Sequence, residues 1–198
     1  MSKKVWFFIG SVIFLLWGIA NTWFSISRYG IGQGTYMWFC NLALFAIAYG
    51  LFRRDASWII SFLAIALFTQ SFWVIDNIWR IITKKNLFGL VEFMYQPGYP
   101  LDEFLVSHYH YFIIPVAISA LIFLKQKVYN AARITFIFGI FIFSTSYFLF
   151  PSEQNLNCVN ESCFVFLKNW KGAAYSLVFS IIVTLMCTIG AYFIERLH

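Results

Sequence analysis

Charge is what this chain has least of. Only 11% of its 198 residues are charged, against about a quarter in an ordinary soluble domain. So low a share, beside 61% hydrophobic and 22% aromatic residues, excludes a water-soluble domain and implies an all-α integral membrane protein. Acidic residues are scarcer than basic ones, 8 against 14, which leaves a net charge of +6. In a soluble protein that surplus would suggest nucleic acid. Here the lysines and arginines gather at the edges of apolar runs, so the expected partner is a membrane and not a nucleic acid. The four cysteines and three histidines form no HExxH or CxxC pattern, so neither a metal nor another cofactor is expected. Internal repeats and low-complexity tracts are missing too.

What is present is a series of apolar runs. Six of them, at about 5–26, 35–53, 57–82, 104–125, 131–150 and 172–194, approach the roughly 20 residues that a membrane-spanning helix needs. They form one polytopic domain with outer loops at 83–103 and 151–171. The N-terminal MSKKVWFFIGSVIFLLW begins like a signal peptide, but no small-x-small cleavage site follows, so the first run is read as a retained helix. Gly-rich RYGIGQG, the charged RRD and KQK, and Pro151 mark the breaks.

Orientation follows from the basic residues. With the N-terminus cytoplasmic, Lys3, Lys4, Arg53, Arg54, Lys125, Lys127, Arg133 and Arg196 lie inside, against Arg28, Arg80, Lys84, Lys85, Lys168 and Lys171 outside. Six spans return the C-terminus to the cytoplasm. Cys158 and Cys163 then fall on the outer side, where a disulfide persists. Cys40 and Cys187 lie within spans, where a thiol behaves as a small hydrophobe. The missing soluble domain and the phenylalanine- and isoleucine-rich composition fit a bacterial cytoplasmic (inner) membrane.

Polar groups are expensive in lipid, so their depth carries information. Thr35, Trp38 and Asn41 share a face at i, i+3 and i+6 from the outer end of the second span. Thr69, Trp73, Asp76 and Arg80 form a stripe at the outer end of the third, with Asp76 and Arg80 spaced for an i, i+4 ion pair. Ser107, His110 or Tyr111, and Ile114 share a face of the fourth. Ser144, Thr145, Ser146 and Tyr147 crowd the end of the fifth. At 1.5 Å per residue these groups lie about 6–10 Å below the outer surface, whereas inner halves such as AISALIF are bare. A one-sided layer of this kind implies a cavity open to the outer leaflet or the outside water. His108 and His110 stand about 200° apart on a regular helix, so His110 faces the cavity and His108 the rim.

His110-Tyr-Phe-Ile-Ile-Pro115 and Asn41-Leu42-x-Leu44, followed by Tyr49 and Gly50, resemble motifs of the androgen-induced and androgen-dependent membrane hydrolases. These are six-span proteins that cleave fatty-acid esters of hydroxy fatty acids with a threonine and a histidine. The resemblance covers the second and fourth spans and the six-span layout. It implies a lipid-ester substrate and His110 as the catalytic histidine. Trp38 stands where the family has its nucleophilic threonine, Phe45 where it has a glutamine, and Ser107 where it has its first histidine, with His108 one residue out of register.

The expected function is therefore intramembrane hydrolysis or acyl transfer on lipid or lipoprotein acyl esters, from a site facing outward. His110 is the base, with His108 as its neighbour and Asp76 or a tyrosine to orient it. The nucleophile is one of Cys40, Thr35, Ser144 and Ser146. Asn41 and Trp38 would donate to the oxyanion, and Trp73, Arg80, Tyr111 and Tyr147 would line the substrate side. A non-enzymatic binder or transporter of a small solute is the first alternative, disfavoured by the bare inner halves. A thiol oxidoreductase using Cys158 and Cys163 is the second.

Overall fold

The computed structural model describes residues 2–164, 167 and 169–197; Lys168, counted above with the outer basic residues, lies outside them. Among the described residues seven α-helices follow one another: α1 Lys3–Tyr29, α2 Phe39–Arg53, α3 Ala56–Thr83, α4 Leu101–Ser107, α5 His110–Leu124, α6 Ala131–Leu149 and α7 Ala173–Leu197. No strand is present among the described residues, only an isolated bridge between Glu161 and Lys171. Among the described residues five segments are long and apolar enough to cross a membrane: α1, α3, α4 with α5, α6 and α7.

The second apolar run behaves differently. A helix from residue 35 is expected, yet α2 begins only at Phe39 and has 15 residues. Gly30 (φ 80°) and Gly34 (φ 68°) take up left-handed or open backbone and frame two short 3₁₀ turns, Ile31–Gln33 and Thr35–Met37. At Gly34 a Cβ would overlap the Phe150 ring, so no other residue fits there. Trp38 is extended (φ −57°, ψ 139°). Thr35 and Trp38 therefore share no helical face with Asn41, which corrects the stripe read from their spacing.

Helix α3 is the axis of the bundle. It packs against α2, α5, α6 and α7, and Ile59, Ile60, Phe62, Leu63 and Ile65 are sealed within the core. The α2–α3 hairpin turns tightly because Arg54 adopts the left-handed conformation and Gly50 lets Ile59 approach where a Cβ would meet it at 2.8 Å. Gly139 does the same for Thr184 across α6 and α7. The helices alternate in direction. Trp6 meets Phe123 and Ser11 bonds Ala48 O at one end of the bundle, while Arg28 pairs with Asp102 and Glu103 at the other.

The junction of α4 and α5 explains the paired histidines. Backbone bonds there close three residues apart: His108 N–H to Leu105 O, Tyr109 N–H to Val106 O, Tyr111 N–H to His108 O and Phe112 N–H to Tyr109 O. This 3₁₀ winding strips Phe104 O and Ser107 O of their α-helical donors. His108 Nδ1 and His110 Nδ1 donate to those two carbonyls, each at 2.6 Å. Trp17 Nε1 from α1 adds a donor to Val106 O at 3.0 Å. Each imidazole thus first satisfies backbone that the break exposes inside an apolar bundle.

The segment after α3 folds back onto the bundle. Asp76, fully buried, accepts the N–H groups of Leu87 (2.9 Å), Phe88 (2.8 Å) and Val91 (3.1 Å). These bonds draw Val91 and Met94 down onto Trp73 and close the bundle with a cap.

Candidate functional site

Two residues organise the polar layer, Asn41 and His110. Asn41 sits in the first turn of α2 and is 5% exposed. Its Oδ1 accepts from the Tyr109 hydroxyl (2.8 Å) and from Asn21 Nδ2 on α1, and its Nδ2 donates to Thr35 O (3.1 Å). The Cys40 thiol lies 3.8 Å from the same Oδ1. Tyr109, in turn, stacks on His110 with ring centroids 4.2 Å apart and 22° between planes. Trp73 of α3 stacks on His110 as well, at 4.1 Å and 14°. The result is a continuous group, Cys40 and Asn41, Tyr109, His110, Trp73, drawn from α2, the α4–α5 junction and α3.

The His110 ring is fixed in tautomer as well as in plane. Because a carbonyl can only accept, Nδ1 carries the proton that binds Ser107 O. Nε2 is then the unprotonated nitrogen, and it has no hydrogen-bond partner among the described residues. An imidazole held in this way is set to receive a proton at Nε2.

Other expected site residues lie elsewhere or are engaged otherwise. Asp76 does not reach His110 and forms no ion pair with Arg80. Its oxygens are taken by the cap, because three converging N–H groups satisfy a buried carboxylate without a cation. Arg80 donates to Lys84 O and lies over the Tyr95 ring, 5.4 Å from its centroid. Ser146 is buried but accepts from Asn157 Nδ2 at 2.9 Å. Ser144 faces outward in an apolar groove of about 340 Å³ between α6 and α7 that holds none of the residues around His110. Tyr147 is exposed against Phe148. Thr145 bonds its own helix, to Phe141 O and Ile142 O. Trp38 contributes its carbonyl, which takes the Asn41 and Leu42 N–H groups, and no indole bond to the cluster. Thr35 adjoins it through its carbonyl, with a buried hydroxyl that has no partner among the described residues. Tyr111 stands edge-on to Trp73, 5.9 Å away. His108 packs at the rim against Phe104 and Tyr111.

Three participants escaped the sequence reading. Tyr109 lies between the two histidines with no spacing that marks it, and Asn21 is a lone amide in the first apolar run. The third is a backbone group. With Trp38 extended, Cys40 is the second residue of α2, and among the described residues its N–H has no backbone acceptor. Such free N–H groups at a helix start favour negative charge. No group of three His, Cys, Asp or Glu side chains among the described residues is placed to hold a metal ion. Cys158 and Cys163 form a disulfide, while Cys40 and Cys187 are free. Compared with known proteins, the chain matches no family model, no curated protein and no solved structure.

Proposed function

We propose that the protein is an intramembrane acyl-transfer enzyme, a hydrolase or acyltransferase of lipid or lipoprotein acyl esters, with Cys40 as nucleophile and His110 as base. One observation carries the choice. Of the four candidate nucleophiles, Cys40 alone presents its side chain to the Asn41–Tyr109 pair that continues onto the His110 ring. Ser144 faces lipid, Ser146 is tied to Asn157, and Thr35 joins by its backbone.

The chemistry follows from this order of groups. The thiol proton passes to His110 Nε2, directly or through the Tyr109 hydroxyl, and Cys40 Sγ bonds to the ester carbonyl carbon. The oxyanion is met by the free N–H of Cys40 at the start of α2. The carbon–oxygen bond of the ester breaks, and the departing alcohol takes the proton from His110. Water or a second lipid hydroxyl, deprotonated at Nε2, then attacks the thioester and restores the thiol. Asn41, with its amide committed to Thr35 O and Tyr109, orients Tyr109 in place of the oxyanion role its position suggests.

The proposed setting is six spans, both termini in the cytoplasm and the site toward the outside of a bacterial cytoplasmic membrane. At 1.5 Å per residue α2 is about 22 Å long, short of the roughly 30 Å hydrocarbon core. Its first turn then lies below the outer surface, reached by non-helical backbone that is tolerated at that depth because protein surrounds it. The basic residues support the same orientation, eight inside against six outside. The cap over Trp73 leaves the lateral path from the outer leaflet as the route for a lipid.

The test is covalent labelling with an acyl-chain probe bearing a thiol-reactive head. It is expected to mark Cys40, to lose most of its rate in His110→Ala, and to be unaffected by Ser144→Ala. Equal labelling in His110→Ala would remove the base from the scheme.

A further inference from the structure

The loop after α6 reaches back across the bundle and holds the start of α2 with one side chain. Asn157, 5% exposed, accepts the Phe39 N–H on Oδ1 at 2.8 Å and donates Nδ2 to Met37 O (3.2 Å) and Ser146 Oγ (2.9 Å). Phe39 is the first residue of α2, and the preceding Trp38 offers no side-chain acceptor. Asn157 supplies from across the fold the cap that a serine or aspartate supplies locally. Because it also bonds Met37 O, the amide clamps the chain on both sides of Trp38.

The loop is built to present that amide. Asn157 is left-handed (φ 56°, ψ 25°), and the next residue, Cys158, is bridged to Cys163. Asn155 accepts the N–H groups of Asn160 and Glu161 and donates to Glu161 O, closing the loop on itself. The Tyr175 hydroxyl donates to Cys158 O and fastens the loop to α7.

We propose that Asn157 is a positioning residue for Cys40, and that the Cys158–Cys163 bridge acts on Cys40 through it. The bridged loop holds the first turn of α2 so that the thiol, one residue beyond the capped Phe39, stays against the N–H groups of the helix start. Those groups favour a thiolate, and a frayed first turn loses them. The functional meaning rests on Cys40 being the nucleophile; the positioning itself does not.

The experiment follows the pH dependence of Cys40 alkylation by iodoacetamide, read by intact mass on the full chain in lipid nanodiscs in a Cys187→Ala background. Asn157→Gly keeps the left-handed backbone and deletes only the amide. Cys158→Ser with Cys163→Ser opens the bridge. Both variants are expected to alkylate about fivefold more slowly at neutral pH, the size of a lost N-cap, with the midpoint of the profile moved upward. Loosening alone would speed alkylation at every pH and leave the midpoint in place. That outcome, or an unchanged profile in folded Asn157→Gly, overturns the proposal, and a shift in Asn157→Gly alone overturns the part given to the bridge. If the profile shifts while no acyl group is ever found on Cys40, the positioning stands and acyl transfer falls. If acyl transfer occurs with the profile unmoved, the reverse holds.

Discussion

His108 and His110 look equivalent in the sequence, yet the break between α4 and α5 gives them different neighbours. Each donates to a carbonyl freed by the 3₁₀ winding, but only His110 lies between Trp73 and Tyr109. His108→Ala is expected to lose about 1 kcal/mol of stability, the net worth of one hydrogen bond, while Cys40 labelling by the acyl probe persists. His110→Ala is expected to lose the labelling. Asp76 belongs to a different class. Removing its carboxylate leaves three N–H groups without an acceptor, at about 1–3 kcal/mol for each buried unpaired group. Asp76→Ala is therefore expected to lower the unfolding free energy in detergent by about 3 kcal/mol or more and to open residues 84–100 to protease. An orienting role toward His110 would instead lower labelling and leave stability unchanged.

Helices were easier to read from the sequence than their interruptions. Long apolar runs bounded by charge identify α1, α3, α6 and α7, because lipid tolerates little else over that length. The short α2 was not legible: its start depends on Gly34 packing under the Phe150 ring, more than a hundred residues away in the chain. The same holds for Asp76, whose spacing to Arg80 invited an ion pair, and whose actual partners are backbone groups that no side-chain pattern reports. The polar layer was legible as a level and not as a network, since Tyr109 and the Cys40 N–H become distinctive only once the two helix starts are set side by side. Packing between elements gives its own test. Gly139→Val places a Cβ 2.9 Å from Thr184 Cγ2 and Oγ1 and is expected to destabilise by about 1–3 kcal/mol. Gly190→Ala, whose Cβ meets only Ala64 Cβ at 4.0 Å, is expected to be neutral or mildly stabilising, and thermal melts of the two variants in detergent check both.

At the scale of the whole molecule, the bundle is one-sided in both charge and chemistry. On the proposed orientation the cytoplasmic end carries the basic excess, and the outer end carries the cap, the bridged loop and the two helix starts that meet at Asn41 and Tyr109. A membrane-impermeant maleimide applied to intact cells is expected to label Glu153→Cys and not Ser2→Cys, both in a background with Cys40 and Cys187 replaced by alanine. The reverse pattern would turn the site toward the cytoplasm. The most direct measurement is of the acyl-enzyme itself: incubate the protein with phospholipid, quench in acid, and map modified peptides by mass spectrometry. Acyl transfer predicts one fatty-acyl group on the peptide containing Cys40, released by neutral hydroxylamine and absent in Cys40→Ala. An unmodified Cys40 under conditions where the lipid is turned over, or an acyl group that survives in Cys40→Ala, would contradict it.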